Sequence, residues 1–117
     1  MSEADRRMSA RAVPRGTRCW CEDGDVTLYS TVGNLSVGGI FVRTFAPLPQ
    51  GRETRIRFEL YDGLKVVAVG LVMWRRGQTA EGLPTGMGLQ FTQIHPHLVD
   101  RIRRFVEGGP NLAVQER

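Results

Sequence analysis

A strand–turn–strand pattern across residues 52–74 is the feature that most limits what this chain can fold into. In the first half, "RETRIRFEL", the apolar residues Ile56, Phe58 and Leu60 alternate with charged residues. Such alternation is typical of a β-strand with one buried face. An Asp-Gly pair at 62–63 predicts a two-residue hairpin turn. The second half, "KVVAVGLVMW", is apolar on both faces, so one face should fill a core while a helix or a partner covers the other.

Shorter segments on both sides extend this antiparallel pattern. Strand-like runs separated by Gly, Pro and Asp turn signals predict strands at 17–22, 26–32, 39–45, 52–60, 65–74 and 86–91. Gly70 in the middle of the fifth run predicts a bend or bulge, as closed sheets need.

The C-terminal segment changes to a helical period. Leu98, Ile102, Phe105 and Val106 fall at i, i+4, i+7 and i+8, which places them on one helical stripe. Pro96 suits the first turn of this helix, and the Gly-Gly-Pro at 108–110 predicts its end. The expected fold class is therefore all-β with one C-terminal helix, in which six antiparallel strands form a small closed barrel.

The length of 117 residues fits one domain. We expect a flexible N-terminal arm at 1–14, the barrel with its helix at 15–109, and a loose tail at 110–117. The N-terminal segment has no apolar core of a secretory signal, and no apolar run approaches the length of about 18 residues that a membrane span needs. We therefore expect a cytoplasmic protein without membrane insertion.

The sequence offers no clear enzyme site or metal site. His95 and His97 flank a proline without a nearby carboxylate or cysteine, which favours a surface turn over a metal site. Ser36 does not lie in a Gly-x-Ser-x-Gly elbow. Cys19 and Cys21 share one face of a strand, where the side-chain directions oppose a disulfide, so we expect two reduced, packed thiols. The chain is thus expected to have no catalytic residues, no metal and no cofactor.

The charge distribution points to an anionic partner. The formal net charge is +4, and Lys65 is the only lysine among 16 basic residues. Arginine suits phosphate recognition because the guanidinium group is a planar fork of donors, although a GC-rich genome would also favour arginine. Five arginines crowd the first eighteen residues, at positions 6, 7, 11, 15 and 18. Charge alone does not identify the anion.

A polar turn precedes the predicted third strand, in the stretch "NLSVGG" at 34–39. The amide of Asn34 both donates and accepts hydrogen bonds, and the hydroxyl of Ser36 points the same way if the chain is extended. Gly38 and Gly39 would let a flat ligand approach the backbone. Asn offers an acceptor to the N–H groups of guanine, while the arginine arm offers donors to phosphate oxygens and to guanine O6 and N7. Taken alone, the same stretch would be only a β-turn.

These two motifs together make the sequence similar to the PilZ domain, a bacterial receptor for cyclic di-GMP. The stretch at 7–11 matches R-x-x-x-R, and the stretch at 34–39 matches [D/N]-x-S-x-x-G. The resemblance extends through "GGIFVRT", "PLPQG", "RIRFEL", the strand with Trp74 and "GMGLQF", and so covers roughly residues 6–107.

The resemblance implies a six-stranded PilZ barrel with a C-terminal helix and a role for each matched residue. The arm would hold phosphates and the guanine Hoogsteen edges with Arg7 and Arg11, next to Arg6. Asn34 and Ser36 would hydrogen-bond a guanine, and Gly38 and Gly39 would leave room for the ligand. The arm would fold over cyclic di-GMP and thereby change the interaction with an unidentified downstream protein.

Three alternatives stay open at this stage. The working arginine pair could be Arg11 and Arg15, which also match R-x-x-x-R. The domain could be a protein-interaction adaptor that docks a partner on the strand face with Trp74 and binds no nucleotide. A basic barrel that binds nucleic acid is less well supported, because few stacking candidates exist beyond Trp20 and Phe41. We expect no nucleic-acid partner.

Overall fold

The described part of the chain forms six strands and one helix. The computed structural model describes residues 17–24, 26–60, 63–77 and 81–115, with side chains described as far as residue 107. The elements in chain order are β1 (Arg18–Asp23), β2 (Val26–Leu35), β3 (Gly39–Arg43), β4 (Glu53–Glu59), β5 (Lys65–Arg76), β6 (Gly86–Ile94) and α1 (Pro96–Gln115). The predicted arginine arm at 1–14 lies outside the described residues, and the division into arm, barrel and tail stays a prediction.

The six strands close into one antiparallel barrel with the order β1-β2-β3-β6-β5-β4. Each neighbouring pair is antiparallel, including the closing pair, in which Cys21 of β1 lies opposite Ile56 of β4. The predicted fold class, a six-stranded antiparallel barrel with one C-terminal helix, is confirmed. Closure matters because it leaves no unpaired strand edge and gives the barrel a continuous outer surface.

The barrel interior is built from the alternating residues that the sequence indicates. In β4 the side chains of Ile56 and Phe58 are fully buried, whereas the charged residues between them are exposed. Ile102, Phe105 and Val106 of α1 join the same hydrophobic core, so the predicted helical stripe is confirmed. On the outer face of β5, however, Val67, Met73 and Trp74 remain exposed.

Several predicted boundaries are wrong: β3 ends at Arg43 and not at 45, whereas β5 and β6 continue to Arg76 and Ile94. Strand β2 continues past the predicted end at Val32 to Leu35, because a bulge between Val32 and Asn34 lets the chain shift register and stay paired with β3. Helix α1 runs to Gln115, past the Gly-Gly-Pro at 108–110. Glycine ends a helix most effectively with a positive φ, whereas both glycines here lie within the helix.

The hairpin between β4 and β5 is confirmed, but its loop is one residue longer than predicted. The N–H of Leu60 donates to the carbonyl of Leu64 at 2.9 Å, and the N–H of Gly63 donates to the carbonyl of Leu60 at 2.8 Å. Gly63 has a φ of 87°. A three-residue loop that ends on a left-handed glycine has this pattern. The predicted irregularity at Gly70 is confirmed, because the register of β5 against β6 shifts between Val69 and Gly70.

Both cysteines are reduced and buried in the core, as predicted. Their Sγ atoms lie 4.0 Å apart and share a weak hydrogen bond. This bond, together with burial, raises the pKa of Cys19, so that thiol stays protonated and is a poor nucleophile.

His95 caps helix α1. Its Nδ1 accepts a hydrogen bond from the backbone N–H of His97 at 3.0 Å, which satisfies one of the unpaired donors of the first turn. Across the described residues, His, Cys, Asp and Glu nowhere form a group of three or more that could hold a metal ion. Within the described residues, no helix has both the length and the apolar character that a membrane span needs.

Candidate functional site

A groove on the outer surface of β3, β5 and β6 brings the polar turn next to two aromatic rings. Its volume is about 670 Å³. Its lining includes Asn34, Ser36, Gly38, Gly39, Phe41, Arg43, Trp74, Arg76, Gly88 and Gln90. The four predicted site residues in the described part of the chain therefore lie together. Arg6, Arg7 and Arg11, the other three, lie outside the described residues.

The aromatic rings lie flat on the barrel because glycine stands beneath them. Gly88 of β6 lies between Phe41 of β3 and Trp74 of β5 in one cross-strand row. A Cβ at Gly88 would overlap the indole of Trp74, and a Cβ at Gly86 would overlap the backbone and crowd the ring of Phe41. The two rings are stacked, with centroids 5.3 Å apart and planes 11° apart. Trp74 keeps 43% of its surface exposed, so this stack is open to a further planar group.

Arg76 is held against these rings. Its guanidinium carbon lies 5.4 Å from the ring centroid of Phe41 and 5.4 Å from that of Trp74. Its Nε–H donates to the carbonyl oxygen of Pro84 at 2.8 Å. The ring contacts and this hydrogen bond fix the guanidinium at the edge of the groove, with its two terminal amino groups still able to donate.

The polar turn closes on itself through Ser36. Both the N–H and the hydroxyl of Ser36 donate to the carbonyl oxygen of Gly39, at 2.9 Å and 3.3 Å. Ser36 is only 4% exposed. Its hydroxyl proton is therefore used within the turn, while its oxygen can still accept a hydrogen bond from a ligand N–H. Asn34 lies at the end of β2, opposite Phe41, and so belongs to a strand and not to the turn itself.

The fold requires glycine at position 39 but not at position 38. A Cβ at Gly39 would overlap the carbonyl oxygen of Leu89, so glycine there lets β3 pair closely with β6. A Cβ at Gly38 would meet nothing within 4 Å, although the residue lines the groove. Packing thus explains Gly39, whereas the barrel has no steric need for Gly38.

This difference predicts opposite effects of two small substitutions. Gly39→Ala should lower the free energy of unfolding by about 2 kcal/mol or more, because backbone atoms must move. Gly38→Ala should change it by less than about 0.5 kcal/mol, since the methyl group enters open space. Urea unfolding of both variants checks this. Equal stability of the two variants would contradict the close approach of β6 to Gly39.

Sequence reasoning missed several residues of the groove. Arg43 and Arg76 received no role, and Trp74 was assigned only to partner docking. Gln90, which pairs with Gly39 across the sheet, was also missed. One signal was available: the alternating glycines of "GMGLQF" share one face of a strand, which indicates close approach by a neighbouring group.

Together, the closed barrel and its groove of glycines, stacked rings, arginines and a polar turn define a small β-barrel domain with a candidate ligand groove. The family comparison is specific: the model for the PilZ domain matches residues 5–108. The chain therefore belongs to the PilZ domain family. No curated protein matches its sequence.

Solved structures share the fold at low sequence identity. The PilZ domain with c-di-GMP of YcgR from Escherichia coli is 16% identical, with a TM-score of 0.69 over 91% of this chain and 92% of that one. The inhibitor of motility MotI/DgrA of Bacillus subtilis is 13% identical, with a TM-score of 0.72 over 92% of this chain and 51% of that one. YcgR of Escherichia coli in complex with c-di-GMP is 18% identical, with a TM-score of 0.71 over 91% of this chain and 46% of that one.

Proposed function

We propose that this protein is a receptor for the bacterial second messenger cyclic di-GMP. The observation that carries the proposal is the groove, in which Asn34 and Ser36 lie beside an open aromatic stack. Groups that can hydrogen-bond the edge of a guanine thus lie next to an aromatic surface on which its ring face can stack. Family membership and the YcgR structures with c-di-GMP support the same ligand class.

The groove supplies one half of the binding site and the arm supplies the other. A guanine stacked on the open face of Trp74 would present its edge to Asn34 and to the oxygen of Ser36. Gly38, without a side chain, leaves the backbone accessible at this point. Arg7 and Arg11, with Arg6 beside them, would bind phosphates and the Hoogsteen edges of guanine.

The proposed role is signal relay without a chemical step. Folding of the arm over the ligand would change the surface that a downstream protein recognises, because ordering a segment creates a new set of contacts. A receptor for this messenger would act in the bacterial cytoplasm. The identity of the partner does not follow from the groove, since the partner would contact the ordered arm or the barrel surface around it.

Calorimetry with cyclic di-GMP tests the proposal. The wild-type protein should bind, Asn34→Ala should weaken binding by about 10-fold or more, and Ser36→Ala by about 5-fold, as expected for lost hydrogen bonds to a ligand. Thr27→Ala, an exposed residue at the other end of β2, is the matched control and should bind normally. Thermal unfolding of each variant separates lost contacts from lost fold. Absence of heat at about 100 μM ligand would rule out the receptor role.

A second candidate is supported by the exposed apolar side chains of β5. Val67, Met73 and Trp74 lie on the outer surface of the barrel. An adaptor that binds another protein through these side chains would need no nucleotide. The calorimetric result separates the two functions, because an adaptor of this kind would give no heat with cyclic di-GMP.

A further inference from the structure

We propose that Arg43 and Arg76 form an anion subsite on the barrel that binds a phosphate group of the ligand. This subsite is distinct from the arginine arm, and the inference rests on the proposed receptor function. With this subsite, the barrel would bind the ligand through charge as well as through stacking and hydrogen bonds.

The register of the strands places the two arginines on one row. Arg43 of β3 and Arg76 of β5 both pair with Gly86 of β6, which lies between them. With strands about 4.8 Å apart, the two Cα atoms are separated by about 10 Å across a residue without a side chain. Guanidinium groups on such stems can reach, from two sides, an anion held in the groove that both residues line.

The same row lies directly beside the aromatic stack. Arg43 follows Phe41 by two residues on β3, and Arg76 follows Trp74 by two residues on β5, so each arginine extends from the same face as its ring. The row that contains Phe41 and Trp74 therefore lies next to the row that contains the two arginines. A purine on the stack would place its attached phosphate near these guanidinium groups.

The charge of this row is not compensated within the described part of the chain. Ion pairs there join other arginines to carboxylates, namely Arg52 to Asp23, Arg57 to Glu22, and Arg103 and Arg104 to Asp100. Neither Arg43 nor Arg76 takes part in them, and the described residues that line the groove include no Asp or Glu. Two like charges on one row favour a bound anion, since it replaces their mutual repulsion with attraction.

Arg76 is also preorganised for this task. The ring contacts and the hydrogen bond to Pro84 hold its side chain before any ligand arrives, so less conformational entropy is lost on binding. The bond to Pro84 uses Nε, which leaves the terminal amino groups for a phosphate. Arg43 is exposed, and its contribution should be the smaller one because solvent screens its charge.

The test compares cyclic di-GMP binding by the wild type, Arg43→Ala, Arg76→Ala and the double variant at about 50 mM and 300 mM NaCl. Arg76→Ala should weaken binding by about 20-fold and Arg43→Ala by about 5-fold, because charge-assisted bonds to phosphate are lost. The double variant should also show a smaller salt dependence of the affinity than the wild type, with the rest supplied by the arm; a purely structural role would not change it. Arg76→Lys keeps the charge but not the planar fork and should recover part of the affinity.

Arg55→Ala is the matched control, because Arg55 is an exposed outward residue of β4 that does not line the groove. It should bind like the wild type. If the wild type binds and the double variant binds within about 3-fold at both salt concentrations, the subsite is wrong while the receptor function stands. If no protein of the set binds, the receptor function itself fails, and the subsite fails with it.

Discussion

Replacing both Arg7 and Arg11 by alanine is expected to weaken cyclic di-GMP binding by more than about 100-fold, as measured by calorimetry. Each guanidinium is proposed to make paired, charge-assisted hydrogen bonds to phosphate or to guanine, and such bonds are about twice as strong as neutral ones. The weak binding that remains should depend on Arg76. Thermal unfolding should be unchanged, because both substitutions fall in the predicted arm and leave the described core residues of the barrel in place.

Arg15→Ala provides the control for the register of the motif. If Arg7 and Arg11 are the working pair, Arg15→Ala should retain most of the affinity. Loss of binding in Arg15→Ala, with full binding in Arg7→Ala, would instead assign the motif to Arg11 and Arg15. Normal affinity in the double variant Arg7→Ala/Arg11→Ala would exclude the arm from the binding site.

Trp74→Ala should produce the second large effect, a loss of affinity of about 30-fold, since stacking of one base on an aromatic side chain contributes about 1–3 kcal/mol. The indole is open on the groove side and packs over Gly88, so its removal should cost more in binding than in folding. Fluorescence offers an independent measurement, because the chain has only two tryptophans. In Trp20→Phe the remaining signal comes from Trp74, and the ligand should quench it.

Trp20→Ala is the matched control for the loss of a surface tryptophan. Trp20 packs edge-on against Tyr29, with Arg57 over its ring, and it does not line the groove. Its removal should leave the affinity for cyclic di-GMP unchanged. Equal losses in Trp20→Ala and Trp74→Ala would indicate a general effect on the barrel, and unchanged affinity in both would exclude stacking on Trp74.

The strands and the helix in which apolar residues repeat at a regular spacing were predictable from the sequence. The alternation of Ile56 and Phe58 defined the buried face of β4, and the stripe with Ile102 and Phe105 defined the buried face of α1. Both patterns follow from the geometry of a single element, in which side chains repeat every two or 3.6 residues. The irregularity at Gly70 was also predictable, because a glycine inside a strand often marks a bulge or a bend.

Boundaries and loop lengths were less predictable because they depend on pairing with other elements. Asn34 was expected in a turn, yet a bulge against β3 keeps it in β2. The Gly-Gly-Pro at 108–110 was expected to end α1, but the helix continues through it, and a glycine stops a helix only in the left-handed conformation. Whether a glycine adopts that conformation is decided by the backbone around it and not by its identity.

The sequence by itself determined the strand and helix faces, the barrel class and the Asn34–Gly39 half of the candidate site, because these follow from local periods and from short motifs with defined chemistry. Only the tertiary structure decided which distant residues join that half. Arg43, Trp74 and Arg76 reach the groove because β3, β6 and β5 are neighbours. The missing side chains of Gly86 and Gly88 let the rings of Phe41 and Trp74 lie close to the sheet. Strand order and register are properties of the closed barrel as a whole, so no local pattern in the chain carries them.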